Sequence, residues 1–176
     1  MDAHEIGLIF FGWGVALAFT SVVVAPRLQA RFGTLPTLLV NLSLLSALLV
    51  VMGIGTDNKA LLATCVVVAG LFLGINNTLV TETVMKAAPV ERGVASAAYS
   101  FVRFSGGAVA PWLAGKLGEE VNVHVPFYVG ALAVALGVGV LAVTRPYLRH
   151  IDDPETEESQ ASGLEREAQA VTVGDA

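Results

Sequence analysis

Four side chains in this sequence stand where polar groups are expensive: Asn76, Asn77, Glu82 and Arg103, each inside or at the edge of a long uncharged run. Arg103 is the most unusual of them. It lies eleven residues past Arg92, about 16 Å along a helix that rises 1.5 Å per residue. A charge at that depth in an apolar helix faces protein or a water-filled cavity and marks the path of a polar solute, a proton or an ion. Asn76 and Asn77 point about 100° apart on a helix. Two such neighbours cannot share one packing seam, which leaves one to hydrogen-bond across a helix contact and one to meet a substrate. Asn76, Asn77 and Arg103 are therefore the candidate substrate-binding residues. Side chains lean toward the start of their own helix. In antiparallel neighbours this tips Glu82 and Arg103 toward each other, so a buried ion pair or coupling contact Glu82/Arg103, or an Asn77/Arg103 contact, is within reach. Two plainer arrangements stay open: Arg103 snorkelling to the nearer interface, and Glu82 pairing with Lys86 one turn along.

Other chemistries find no footing. His4, His124 and His150 share no ligand spacing with one another or with Cys65, the single cysteine, so neither a metal site nor a disulfide framework is expected. The sequence has no Gly-x-Ser-x-Gly elbow, phosphate loop or His-Glu-x-x-His pair, and no cofactor or nucleic-acid partner is indicated. Glu82 is the one carboxylate placed at depth, with no paired base, which argues against an enzyme.

These residues need elements to hold them, and the composition says which. Of 176 residues 55% are hydrophobic and 14% charged, against about 25% charged in water-soluble domains. There are too few charges to cover a surface in water. Uncharged stretches of 21, 25, 22, 23 and 24 residues lie between Glu5 and Arg27, Arg31 and Asp57, Lys59 and Glu82, Arg92 and Lys116, and Glu120 and Arg145, the fourth broken only by Arg103. About 20 helical residues cross a hydrocarbon core of about 30 Å, and backbone amides in lipid must be satisfied within their own segment. The expectation is an all-α integral membrane protein: residues 1–150 form a five-helix transmembrane domain, with spans near 6–25, 35–55, 60–85, 92–117 and 124–144. Met1 to Glu5 lacks the basic start of a secretory signal, so the first span is read as retained.

Short connections make consecutive helices antiparallel neighbours. Arg27, Arg31, Lys86, Arg92, Arg145 and Arg149 flank one side, with Lys59 and Lys116 on the other. The positive-inside rule then puts the N-terminus outside and the C-terminus in the cytoplasm of a multi-pass inner (plasma) membrane protein. The net charge of −5 belongs to residues 151–176, which hold eight of the fifteen carboxylates. Too little apolar surface there offsets the entropy of ordering, and a disordered acidic tail is expected.

Spans differ in polarity. The second and fifth are nearly all Leu, Val, Ala and Gly and suit lipid, whereas the third and fourth carry the amides, hydroxyls and Arg103 and should line the interior. Gly70, Gly74, Asn77 and Thr81 share one face, which suits a close helix seam. Gly107, Pro111 and Gly115 recur at four-residue spacing, with Pro111 bending the helix, so they read as a kinked seam or a hinge. Ala131, Ala135 and Gly139 form a similar stripe, and Trp13, at mid-span, reads as a packing residue.

Ala25-Pro-Arg-Leu-Gln-Ala-Arg-Phe-Gly33 resembles the Gly-x-Leu-x-Asp-Arg-x-Gly loop of the major facilitator superfamily. Leu28, Arg31 and Gly33 match, while Pro26 and Ala30 replace the first Gly and the Asp. The stretches Gly74 to Glu82, Pro89 to Ala97 and Arg103 to Gly115 are similar to helices ten and eleven of bacterial drug:proton antiporters in that superfamily, and the likeness covers about residues 5–148. It implies a partial major facilitator fold with the five spans as helices eight to twelve, helix ten at a central cavity, and helices nine and twelve toward lipid. Arg27, Leu28, Arg31 and Gly33 become the gating loop, and Gly70, Gly74, Gly107, Pro111 and Gly115 hinge or packing positions. The implied function is proton-coupled efflux of drugs or small molecules, with the bilayer, a small-molecule substrate and the N-terminal helices as partners and with no activity in this portion alone. The alternative is a non-transporting membrane fragment or small membrane protein that associates with a partner through its helices.

Overall fold

A computed structural model describes residues 3–88 and 90–152; most of the acidic tail lies outside the described residues. Every regular element is helical. Helix α1 (Ala3–Phe19) passes through a π-helical segment (Thr20–Val24) into α2 (Ala25–Phe32), and α3 (Thr34–Ile54), α4 (Lys59–Ala87), α5 (Arg92–Glu120) and α6 (Val125–Thr144) follow, closed by a 3-10 stretch Arg145–Asp152. Four rods are long and apolar enough to cross a membrane, namely Ala3–Phe32, Thr34–Ile54, Lys59–Ala87 and Val125–Leu148. The fifth long helix, α5, has the length for a span but carries Arg92, Arg103 and Lys116 among many glycines and serines.

The connection expected between the first two spans, 26–34, is mostly helix. Pro26 has no N–H to give to the carbonyl one turn back, and the chain absorbs the loss by widening: the amide of Ala25 bonds to the Thr20 carbonyl, five residues away. Past that π segment the helix resumes and stops at Gly33, whose φ of 83° and ψ of 163° belong to glycine. Gly33 N–H donates to Gln29 O at 2.8 Å, and Thr37 Oγ1 donates to Gly33 O at 2.8 Å. A single residue thus separates α2 from α3. At the other end Asn58 caps α4, its Oδ1 accepting from the amides of Ala60 and Leu61, each at 3.1 Å.

Packing is uneven. The α1 rod lies against α4, α4 against α3, and α3 against α6. Ala25, Leu38, Ile75 and Leu79 form the buried cluster where α2, α3 and α4 meet, with Leu141 of α6 beside them. At the opposite end of α3, His124 Nδ1 lies 2.6 Å from Gly53 O and 2.8 Å from Thr56 Oγ1, which holds the start of α6. Ser46 Oγ donates to Ala131 O at 2.9 Å between them.

Three expectations change here. Helix α3 is not a lipid-facing rod all round: Leu35, Leu38, Asn41, Leu45 and Met52 are buried on one side, while Val40 and Leu44 stay exposed. Helix α5, expected inside, buries Ala95 alone, because the described residues supply nothing for its polar face to pack on. The stripe of α6 also shifts. Ala131 is buried, yet Ala135 and Gly139 are exposed and the half-buried face continues through Val134, Val138 and Leu141, the 3-4-3 spacing that a helix keeps toward one neighbour.

Replacing Gly33 by Ala forces a side chain into backbone space open to glycine, and should cost about 1–3 kcal/mol of stability. Gly107→Ala, where an added Cβ meets nothing within 4 Å, should be neutral or stabilising by up to about 1 kcal/mol. Reversible unfolding in mixed detergent micelles checks both values.

Candidate functional site

Helix α4 presents its polar residues in three directions. Gly70 and Gly74 face α1. A Cβ on Gly70 would lie 2.6 Å from Trp13 O, and one on Gly74 would run into Leu17 O and Thr20 Oγ1, so only glycine lets the two backbones approach this closely. Trp13 is the packing residue expected of it. Thr78 continues that face, its Oγ1 lying 2.7 Å from Ser21 Oγ in the π segment. The expected stripe Gly70/Gly74/Asn77/Thr81 therefore divides. Thr78 completes the α1 seam, while Thr81 turns to α5, where its hydroxyl lies 3.4 Å from that of Tyr99.

Glu82 points in a third direction, toward α2. Gln29 Nε2 donates to Glu82 Oε1 at 2.6 Å, Lys86 Nζ sits 2.8 Å from the same oxygen, and Gln29 also reaches Thr34 Oγ1 at 3.2 Å. The side chains of Lys86 and Glu82 are 11% and 28% exposed, so water screens this pair only in part. The cluster ties α2, the start of α3 and the end of α4 together. Gln29 escapes a sequence reading because it is an uncharged residue 53 positions from its partner, with no periodicity linking them.

The structure does not bring Glu82 and Arg103 together, nor Asn77 and Arg103. Glu82 takes the plainer partner one turn along, because it lies 100° around α4 from Thr81, the residue that α5 touches. Arg103 sits one turn beyond Tyr99 on the exposed side of α5, near Phe101 and Phe104, which are 73% and 75% exposed. Gly106, Gly107 and Gly115 have open space where a Cβ would be, so no seam forms around Pro111, which lies within a helix that continues to Glu120.

Among the described residues, two buried side-chain oxygens lack a hydrogen-bond partner: Asn41 Oδ1 and Asn76 Oδ1. Asn41 spends its amide nitrogen on Phe72 O at 3.0 Å, joining α3 to α4. Asn76 is half-buried, and its carbonyl oxygen is an acceptor held out of water without a donor. A buried acceptor in that state costs about 1–3 kcal/mol. Sequence spacing pointed to Asn76 and missed Asn41. Of the proposed gating residues, Arg27 donates from Nη1 to Val23 O at 2.8 Å, Leu28 packs on the buried cluster, Arg31 stands over the Phe32 ring at 5.4 Å, and Gly33 makes the turn.

Apolar rods alternate through the bundle, glycines bring α1 onto α4, and polar rows on α4 and α5 meet at Thr81 and Tyr99. The sequence model of the Major Facilitator Superfamily matches residues 1–172. The chain belongs to the major facilitator superfamily. It is thus a multi-pass membrane protein of a transporter superfamily, with a partial major facilitator fold. Among curated relatives, the multidrug efflux protein YfmO of Bacillus subtilis (strain 168) is 49% identical over 151 residues, which are 86% of this chain and 38% of the relative. The chain therefore spans less than half of that relative's length. No solved structure matches it.

Double-mutant cycles separate the two arrangements of Glu82. Gln29→Leu with Glu82→Gln should show a coupling of about 0.5–3 kcal/mol, as residues in one hydrogen-bonded network do, whereas Glu82→Gln with Arg103→Gln should add to within about 0.3–0.5 kcal/mol. Unfolding free energies in detergent provide the readout.

Proposed function

We propose that this chain forms part of a proton-coupled exporter of drugs or small molecules, corresponding to helices eight to twelve of a twelve-helix transporter. The observation that carries this reading is a set of polar side chains on α4 and α5, Asn76, Asn77 and Arg103, that find no hydrogen-bond partner among the described residues, Asn76 Oδ1 being buried as well. Asn76 offers a buried acceptor, Asn77 lies beside it, and Arg103 supplies a positive charge on the open face of α5. In a transporter that binds its substrate between two halves at mid-membrane, such groups await a solute rather than a helix. The name of the Bacillus subtilis relative, a multidrug efflux protein, supports drugs as the cargo, and a few oriented polar groups in an apolar wall are the usual recognition set for small molecules.

In this reading Asn76 and Asn77 accept from and donate to the substrate, and Arg103 acts on its charge or on that of a coupling carboxylate in the partner half. The cluster Gln29/Glu82/Lys86 braces the end of the bundle on the cytoplasmic side. The N-terminus is outside and the C-terminus inside, so that Arg27, Arg31, Lys86, Arg92 and Arg145 lie in the cytoplasm. Rocking needs a partner half, supplied by N-terminal helices. The chain alone then does not transport. As a non-transporting protein, by contrast, it would use its exposed helix faces only for association.

Dye efflux from cells tests this reading. Joined to the part of the Bacillus subtilis relative that it does not match, the chain should export a lipophilic cationic dye, and a protonophore should abolish the export. Arg103→Ala and Asn76→Ala should each lower it about tenfold or more, the effect of about 1.4 kcal/mol or more on the rate-limiting step. The chain alone should export nothing. Efflux by the chain alone, or protonophore-insensitive efflux by the joined protein, would contradict the proposal.

A further inference from the structure

Away from the polar rows, α2, α3 and α4 enclose a groove of about 410 Å³ whose walls are Leu28 and Phe32 from α2, Val40 and Leu44 from α3, and Phe72 and Ile75 from α4. Its rim is open: Phe32, Val40 and Leu44 are 56%, 60% and 49% exposed. Pro36, Val40 and Leu44 recur every four residues, so this wall runs about 12 Å along α3. That is close to the depth of one leaflet in a hydrocarbon core of about 30 Å.

The groove starts beside positive charge. Leu28 and Phe32 form one row of α2, and Arg27 and Arg31 form the next. The guanidinium of Arg31 stands 5.4 Å from the centre of the Phe32 ring that makes the rim. Arg27 bonds to a carbonyl of its own rod, and among the described residues neither arginine is paired with a carboxylate. We propose that this groove is a binding site for an anionic phospholipid, one acyl chain lying along Pro36, Val40 and Leu44 and the headgroup phosphate meeting Arg31 and Arg27. The match is one of shape and charge together. A leaflet-deep apolar slot accepts a chain, and the guanidinium of Arg31 beside its rim, with that of Arg27 one turn back on the same helix, favours a phosphate, each contributing to attraction for anionic headgroups near a membrane surface. Leu28 and Phe32 line the groove on the face of α2 next to the one from which Gln29 reaches Glu82, so a bound lipid would press on the same short helix that this cluster holds, and is independent of the transported solute.

Native mass spectrometry of the full chain, released from detergent micelles containing equal phosphatidylglycerol and phosphatidylcholine with matched chains, tests the site. One phosphatidylglycerol should be retained about tenfold more often than phosphatidylcholine. Arg27→Gln with Arg31→Gln should bring the two lipids level. Leu44→Trp, which fills the slot from an exposed position and leaves both arginines, should lose the bound lipid while circular dichroism keeps its helical signal. Asn41 also lines the groove, and Asn41→Leu should leave retention unchanged, since an acyl chain makes no use of the amide. Equal retention of both lipids by the unaltered chain, or phosphatidylglycerol still held by Leu44→Trp, would overturn the proposal. Loss of binding on Asn41→Leu would do so too, pointing instead to a hydrogen-bonding solute.

Discussion

Close approach of two backbones, α1 to α4 at Gly70 and Gly74, is the contact on which the arrangement depends. Hydrocarbon gives helices no hydrophobic reason to associate, so van der Waals contact and interhelical hydrogen bonds must hold them. The two glycines admit the carbonyl side of Trp13 and Leu17, and the Ser21/Thr78 pair adds a polar link one turn further on. The π segment belongs to the same contact. By taking up the donor that Pro26 lacks, it lets one rod bring Thr20 and Ser21 to α4 and then carry Gln29 across to Glu82. With that seam made, Thr81 turns to α5 and meets Tyr99.

What α5 does follows from the same economy. Its polar and small residues stay on the surface because the helix touches α4 only near its start, through Tyr99 and buried Ala95. A helix with Arg103, several serines and five glycines gains little from lipid. Its aromatic residues, Phe101, Phe104 and Trp112, are equally open. Such a helix belongs beside water or beside further protein.

Much of this was legible from the spacing of charges. Uncharged runs of crossing length dictate helices because lipid offers the backbone no other partner, and the order of short motifs pointed to the superfamily. Gly70 and Gly74 could be read as a seam because nothing else explains four-residue spacing of glycine in an apolar helix. Directions were harder. Thr78 rather than Asn77 completes that seam, because Ser21 of the π segment stands opposite it. Glu82 takes Lys86, the partner its spacing offered, together with Gln29, 53 positions away with no pattern to announce it. The buried face of α3 was hidden because a helix apolar all round carries no moment to say which side is covered.

The proposed arrangement requires that the polar side of α4 and α5 front water while the apolar faces of α3 and α6 front lipid. In a Cys65→Ala background of the chain in membranes, joined to the partner half, single cysteines in place of Asn77, Arg103, Val40 and Leu132 can be treated with a membrane-impermeant maleimide. Labelling at 77 and 103 with none at 40 and 132 is the predicted result. An unreactive position 103 beside a reactive 132 would contradict it.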